Sequence, residues 1–489
     1  MQNGAQKGNM RRAGLAAALL VVLAQAQATA QQDRWEQSGV TATDARVTPP
    51  SSGNVLADIE SRLAALEAVH GGYGGNGLCE ECVEVEIQSQ PNHQIIGRMF
   101  FDQLWMDDLQ GAGALFDVAQ ENMTGFRDLR LGVQGNIWEN LAYKVEFEFE
   151  GDEVDYKDVY AELQNLPMIG NFRIGHFREP MGLEHLTDYR FITFMEKSAA
   201  TRDFAPDRNL GIMLYDYMWD NMNWSYYASL TRGNHEGDNL NTVIPFQGPP
   251  DEDVDEDSND WSFTARIAGT PYYDEHNGRC LLHLGVGYSA RRTGQNPGTL
   301  GNGLWLGDLE MDDRTSLLKI QLNPREEFNV YNFEAAWMRG PFSLQGEYYY
   351  AETGGASGIY TNGAYLQASY FITGENRGYD RRMKAFYRVH PYEPFFLINT
   401  CDGCSGGLGA WELAVRWSWK DLDSIPALLP GGAFPPTVIG TQENITLGCN
   451  WYLNPYSRVM FNYVHSISDY TFFGKSEGDH FGLRFQIDW

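Results

Sequence analysis

What this chain has little of narrows its class first. After the amino-terminal thirty residues no uninterrupted apolar run approaches the ~20 residues a membrane helix needs, although 43% of the residues are hydrophobic. Basic side chains are scarce: 36 Lys and Arg stand against 65 Asp and Glu, a formal net charge of −29. A surface this poor in cations does not neutralise phosphate backbones, so nucleic-acid binding is excluded. Cysteine is sparse, with six in 489 residues. Cys79/Cys82 and Cys401/Cys404 each read CxxC, but about three hundred residues separate the two pairs, against ~15–20 in a zinc ribbon. In an oxidising compartment a local disulfide is the better reading, above all for Cys401-Asp-Gly-Cys404 in its Gly-rich surroundings. No His-Glu-x-x-His motif occurs, and no Gly-x-Ser-x-Gly nucleophile elbow is expected. Amphipathic helices are missing from most of the length.

The first thirty residues read as a signal peptide. Lys7, Arg11 and Arg12 lead an apolar stretch from Ala13 to Leu23, and Ala28-Thr29-Ala30 supplies the small-x-small cleavage pattern. Cleavage there removes three positive charges and takes −29 to about −32. Residues 31–92 form a polar linker, with Pro49-Pro50 ahead of one helix at 55–69. Leu56, Ile59, Leu63 and Leu66 give that helix an a/d seam of two heptads, a short coiled coil or a helix packed on its own protein. Gly71-Gly-Tyr-Gly-Gly75 follows as a hinge.

From residue 93 to 489 the pattern has period two, and the end of the chain shows it best. Phe481, Leu483, Phe485, Ile487 and Trp489 alternate with Gly482, Arg484, Gln486 and Asp488, one greasy face and one wet face. Nothing follows to cover the greasy face, which suits lipid better than a second protein layer. The same alternation recurs at Tyr143–Phe149, Trp261–Ile267, Trp411–Trp419 and Ile445–Trp451. About sixteen such segments succeed one another in hairpin order, so the fold class is all-β, a transmembrane antiparallel β-barrel. Cys449 falls on the apolar parity. Tight turns at 339–341 and 453–457 alternate with long connections at 179–208, 233–259, 292–312 and 421–441. The acidic run Asp251–Asp257 reads as a solvated loop tip, or as a place where divalent cations bridge to surface lipid.

Several longer words go beyond pattern. Asn171-Phe-Arg-Ile-Gly-His-Phe-Arg-Glu-Pro-Met-Gly-Leu-Glu184, Arg190-Phe-Ile-Thr-Phe-Met-Glu-Lys-Ser198 and Pro206-Asp-Arg-Asn-Leu-Gly211 resemble the phosphate-selective porins, the porins O and P of Gram-negative outer membranes. Gly363–Glu375, Gly409–Trp417 and Asn450–Pro455 are similar to the same family. The resemblance implies a sixteen-stranded homotrimer in outer-membrane lipid, passing small solutes and ions by passive diffusion, with residues 179–208 folded in to narrow the lumen. It also implies inward cations that draw anions such as phosphate. By parity the candidates are Arg130, Lys144, Arg173, Arg266, Arg416 and Arg484, with Arg190, Lys197, Arg202 and Arg208 in the narrowing loop. Glu146, Glu148, Glu150, Glu347 and Glu412 share the lumen parity and offer these cations partners, so a structural role is open for each. The acidic net charge departs from a phosphate attractor and leaves a non-selective or cation-preferring pore as the alternative. No cofactor or catalytic residue is implied. A metal site at His176, His185, Glu179 and Glu184 is disfavoured by the turn at Pro180. A soluble, sugar-binding β protein would not explain sixteen similar strands.

Overall fold

The computed structural model describes residues 92–106, 110–111, 122–149, 154–218, 222–232, 261–275, 278–292, 308–309, 311–316, 327–354, 360–395, 398–400, 403–422, 440–470 and 474–489. The leader, the linker as far as residue 91, the 55–69 helix, Cys79/Cys82 and the 251–257 acidic run lie outside the described residues, and Asn92, expected at the end of the linker, is the first residue of the wall.

Sixteen strands make the wall. They are β1 (Asn92–Met106), β2 (Met123–Trp138), β3 (Leu141–Glu148), β4 (Asp155–Leu166), β5 (Gly170–Arg178) and β6 (Arg208–Tyr217). Next come β7 (Trp224–Arg232), β8 (Trp261–Tyr273), β9 (Cys280–Arg292), β10 (Glu327–Arg339) and β11 (Phe342–Gly354). The last are β12 (Tyr360–Phe371), β13 (Ala410–Asp421), β14 (Gly440–Asn454), β15 (Ser457–Tyr470) and β16 (Gly474–Asp488). Each pairs antiparallel with its sequence neighbours, and β16 returns to β1 with Met99 opposite Ile487 and Phe101 opposite Phe485. The carboxy-terminal residue completes the seam: Trp489 N donates to Gly97 O at 3.0 Å, and Gly97 N donates to Trp489 O at 3.2 Å. Gly97 is required there, because a Cβ would stand 2.2 Å from the Trp489 ring. Closure gives every strand two neighbours, which a wall in hydrocarbon needs.

The polarity is inverted relative to a soluble sandwich. Phe101, Trp105, Leu210, Ile212, Leu366, Leu413, Leu447, Phe461, Leu483 and Phe485 are exposed on the outside. Arg266, Arg416, Arg484 and Lys420 are among the most buried side chains, on the inside. So continuous an apolar exterior exceeds what soluble monomers expose and is matched to lipid. Aromatic side chains mark both rims, with Trp138, Trp337, Trp411 and Trp489 at the short-turn end and Trp105, Trp261 and Tyr360 at the other. Cys449 is half-buried on the outer parity, as its place in the alternation predicts.

The expected alternation of short and long connections breaks at both ends of the barrel. Residues 372–409 join β12 to β13 at the short-turn end, where the neighbouring turns take only a few residues. Conversely 149–154, 355–359 and 471–473 at the long-loop end are brief. Strand periodicity sees only the wall, so a connection that turns inward on its own contacts leaves no periodic trace.

Candidate functional site: a lumen entered from both ends

Two segments fill the lumen. The first, residues 179–207, leaves β5 through a turn at Pro180 and Gly182 and carries two short helices, α1 (Leu183–Leu186) and α2 (Ala199–Phe204). Gly182 has φ 78°, and a Cβ there would meet the Tyr349 hydroxyl at 2.5 Å. Two carboxylates hold this segment by neutral donors. Glu179 accepts from Asn209 Nδ2 (2.7 Å), Thr231 Oγ1 (2.8 Å), Ser262 Oγ (3.2 Å) and Thr264 Oγ1. Glu347 accepts from the Leu183 and Glu184 amides (3.0 and 2.6 Å), Asn332 Nδ2 (3.1 Å), and the Tyr349 and Tyr365 hydroxyls (3.0 and 2.7 Å). The carboxylate thus takes up the orphan donors that a helix start leaves. Ser198 caps α2 by accepting from Thr201 N at 3.1 Å, while its own N and Oγ donate to Glu184.

The far wall grips the segment by its carbonyls. Arg416 Nη1 donates to Glu196 O (3.0 Å), Asn450 Nδ2 to Thr193 O (2.7 Å), Arg458 Nη1 to Ile192 O (2.8 Å) and Arg484 Nη1 to Met195 O. Arg291 Nη2 donates to Phe204 O at 2.8 Å, and Lys420 pairs with Asp203 at 2.8 Å. Toward β1–β4 the contacts are ion pairs. Arg98 joins Asp128 on the wall (2.6 Å) to Asp188 on the segment (2.7 Å), and Arg127 meets Glu196 at 2.9 Å.

The second segment, residues 372–409, rises from the short-turn end with a small hairpin, Gly378–Asp380 against Ala385–Tyr387. Arg266 Nη2 donates to Lys384 O (2.9 Å) and Tyr227 OH to Arg382 O (2.7 Å), and Tyr379 OH lies 2.7 Å from His283 Nδ1. The Arg377 guanidinium lies 3.4 Å from the Phe386 ring centroid. The two segments touch: Phe386 N donates to Thr187 Oγ1 at 3.3 Å, Phe386 packs with Leu183, and the Phe191 and Tyr387 rings are 4.7 Å apart.

All six cations predicted by parity lie on the inner face, each against a carboxylate. Arg130 pairs with Glu148 (2.8 Å) and Asp128 (3.0 Å), Lys144 with Asp158 (2.6 Å), and Arg173 with Glu162 (2.6 Å). Arg266 pairs with Glu334 (2.8 Å), Arg416 with Glu184 (3.2 Å), and Arg484 with Asp102 (2.7 Å) and Glu196 (2.9 Å). Of the four expected in the narrowing loop, Arg208 is instead the first residue of β6, where it shares Asp158 with Lys144 (2.7 Å), and Arg190 in the segment pairs with Asp188 (3.0 Å). Lys197 donates to His185 O (3.1 Å) over the Tyr189 ring, and Arg202 sits in the last turn of α2 within the field of Glu196. Arg98 and Asp158 lie on the wall and pair partly with neighbouring strands, Arg98 with Asp128 and Asp158 with Lys144, whereas Asp188 and the 372–409 side chains lie outside the strands, where parity gives no reading.

The field inside is set by these neighbours. Burial opposes ionisation of Asp188, but Arg190 and Arg98 overcome it and hold the carboxyl well below the ordinary range. Glu196 is likewise opposed by burial and drawn down to about 2 by Arg127 and Arg484. Burial, then Arg178, pushes the Lys197 ammonium well below its usual value, and burial with Lys197 does the same to His185. Among the described residues no group of three or more His, Cys, Asp or Glu is placed to hold a metal. Contrary to the expectation of no Gly-x-Ser-x-Gly stretch, Gly403-Cys-Ser-Gly-Gly407 has that spelling, but its Gly403–Ser405 strand pairs with Ile398–Thr400 and no helix follows it.

The sequence pattern of the family described as "Phosphate-selective porin O and P" matches residues 103–489. Porin O of Pseudomonas aeruginosa is 24% identical over 396 residues, covering 74% of this chain and 81% of that protein. An uncharacterised protein of Caulobacter vibrioides is 26% identical over 300 residues, 61% of this chain and 55% of its own length. The solved OprB of Pseudomonas putida superposes with a TM-score of 0.50 at 6% identity, over 81% of this chain and 94% of that one, a likeness of fold alone. The anion-selective porin from Comamonas acidovorans gives a TM-score of 0.49 at 13% identity over 82% of this chain and 100% of that one. With its closed sixteen-stranded wall, its apolar exterior and a family match over most of its length, the chain belongs to the phosphate-selective porin O and P family and is a passive-diffusion channel of the outer membrane, not an enzyme.

Proposed function

We propose that this porin passes small hydrophilic solutes with weak preference for ion charge. The path follows the β1–β6 wall past Lys144, Arg190 and Arg208. The observation that carries this is the pairing of the inward cations: Lys144 and Arg208 converge on one carboxylate, Asp158, and Arg130 lies among Asp128, Glu146 and Glu148. A cation already joined to a carboxylate presents a dipole to a passing ion, and its pull falls off faster than that of a free charge. Anions, phosphate included, still pass, but along this wall the described cations are joined to carboxylates and concentrate them little. Export follows cleavage after Ala30, the linker ahead of β1 stands on the periplasmic side, and the channel is a homotrimer.

The test is the reversal potential of purified protein in a planar bilayer, under a potassium chloride gradient and then a potassium phosphate gradient. Small potentials in both salts are expected. A large anion-selective potential, deepened by phosphate, would overturn the weak-preference reading and restore the anion ladder.

A further inference from the structure

We infer that the short-turn end of the lumen holds a binding subsite for an uncharged polyhydroxylated solute, a small sugar or polyol. The inference rests on the reading of a weakly charged pore and names a solute class for it.

A cavity of about 260 Å³ opens on the inner face of β1–β4 near their short turns. At ~30 Å³ for each water it has room for roughly nine waters, enough for a solute of one sugar ring. Five of its lining side chains are carboxamides: Asn92, Gln94, Gln134, Asn136 and Gln164. They come from three strands, and strand alternation turns them all to the lumen.

Their hydrogen-bonding capacity is largely unspent. Asn92 and Asn136 have no side-chain hydrogen bond among the described residues. Gln134 Nε2 reaches Gln94 Oε1 only at 3.4 Å. Gln164 Nε2 donates to Glu162 at 2.8 Å, which leaves its carbonyl oxygen open. Tyr160 also lines the cavity, its ring held beneath the Arg173 guanidinium at 4.0 Å.

The two charged groups in the lining face their own partners. Lys144 is 2.6 Å from Asp158, and Glu162 is 2.6 Å from Arg173. Lys144 and Glu162 contribute opposite formal charges, so the lining draws neither sign. A carboxamide offers two donors and one acceptor with two lone pairs, and a hydroxyl both donates and accepts. A wall of neutral groups of both kinds is complementary to neighbouring hydroxyls on a neutral solute. An anion would leave the amide oxygens unmatched, and a cation would leave the amide N–H groups unmatched.

The test uses the full-length channel inserted in a planar bilayer in potassium chloride, titrated with glucose and with maltose. The expected result is a saturable reduction of the ion current, with excess current noise as solute enters and leaves. The double variant Gln134→Leu/Asn136→Leu should weaken the half-blocking concentration about tenfold, the loss of one or two hydrogen bonds. Gln164→Leu, on a different strand, should weaken it in the same direction. Inserted channels are identified by their potassium chloride conductance, so a variant that fails to fold does not enter the comparison. A non-saturable decrease that follows solution viscosity, or the same half-blocking concentration in the variants, overturns the subsite. Reversal potentials from the same channels judge the charge preference separately, so the two readings fail independently.

Discussion

At the scale of single residues, the charges inside this barrel act through their partners. Asp158 is shared by Lys144 and Arg208, so Asp158→Asn should unmask two cations at once. The anion-to-cation permeability ratio, read from reversal potentials, should rise several-fold, whereas Arg208→Glu should lower it. A second residue ties permeation to pH. Burial, then Arg381 and Arg266, push the Lys384 ammonium down to about 8. Below that pH the group is charged. As pH rises from about 7 to about 9 it loses its proton, well short of its ordinary value near ~10.4, and the lumen loses one positive charge. Anion permeability relative to cation permeability should therefore fall over that window. Lys384→Arg, which stays charged, should flatten the profile.

At the scale of elements, both inward segments depend on a few anchors. Glu347 satisfies two amides at the start of α1 and three side-chain donors. Glu347→Leu strands those donors, at about 1–3 kcal/mol for each buried group left unpaired. The expected outcome is a loosened 179–207 segment, seen as larger and noisier single-channel conductance. Phe386 plays the matching part in the other segment, packed on Leu183 with Arg377 over its ring. Phe386→Ala should raise conductance too. Proteolysis should then cut within 372–409 while the strands stay protected.

At the scale of the whole molecule, the barrel stands or falls on its seam. The Trp489 indole lies over Gly97, and any Cβ there would overlap it. Overpacking of this kind typically costs about 1–3 kcal/mol. Gly97→Leu should lower the fraction of heat-modifiable, folded barrel on unheated gels. The double variant Gly97→Leu/Trp489→Ala, which vacates the space, should recover it.

Much of this architecture was legible in the sequence, because a barrel wall writes itself locally. Alternation at Tyr143–Phe149, Trp411–Trp419 and Phe481–Trp489 fixed which side chains meet lipid and which meet the lumen, and Arg130, Lys144, Arg173, Arg266, Arg416 and Arg484 all face inward as that parity requires. The words around 171–211 marked the segment that folds inside. Sequence by itself therefore determined the strands, their faces and the family. Only the tertiary structure decided what the inward charges do. The partner of Arg484 is Asp102, the partner of Arg416 is Glu184, and Arg98 reaches Asp188. These contacts span from ninety to several hundred residues of chain, a separation that no local period encodes. The inward course of 372–409 was hidden for the same reason, since it is held by Tyr227, Arg266 and His283 from strands far earlier in the chain.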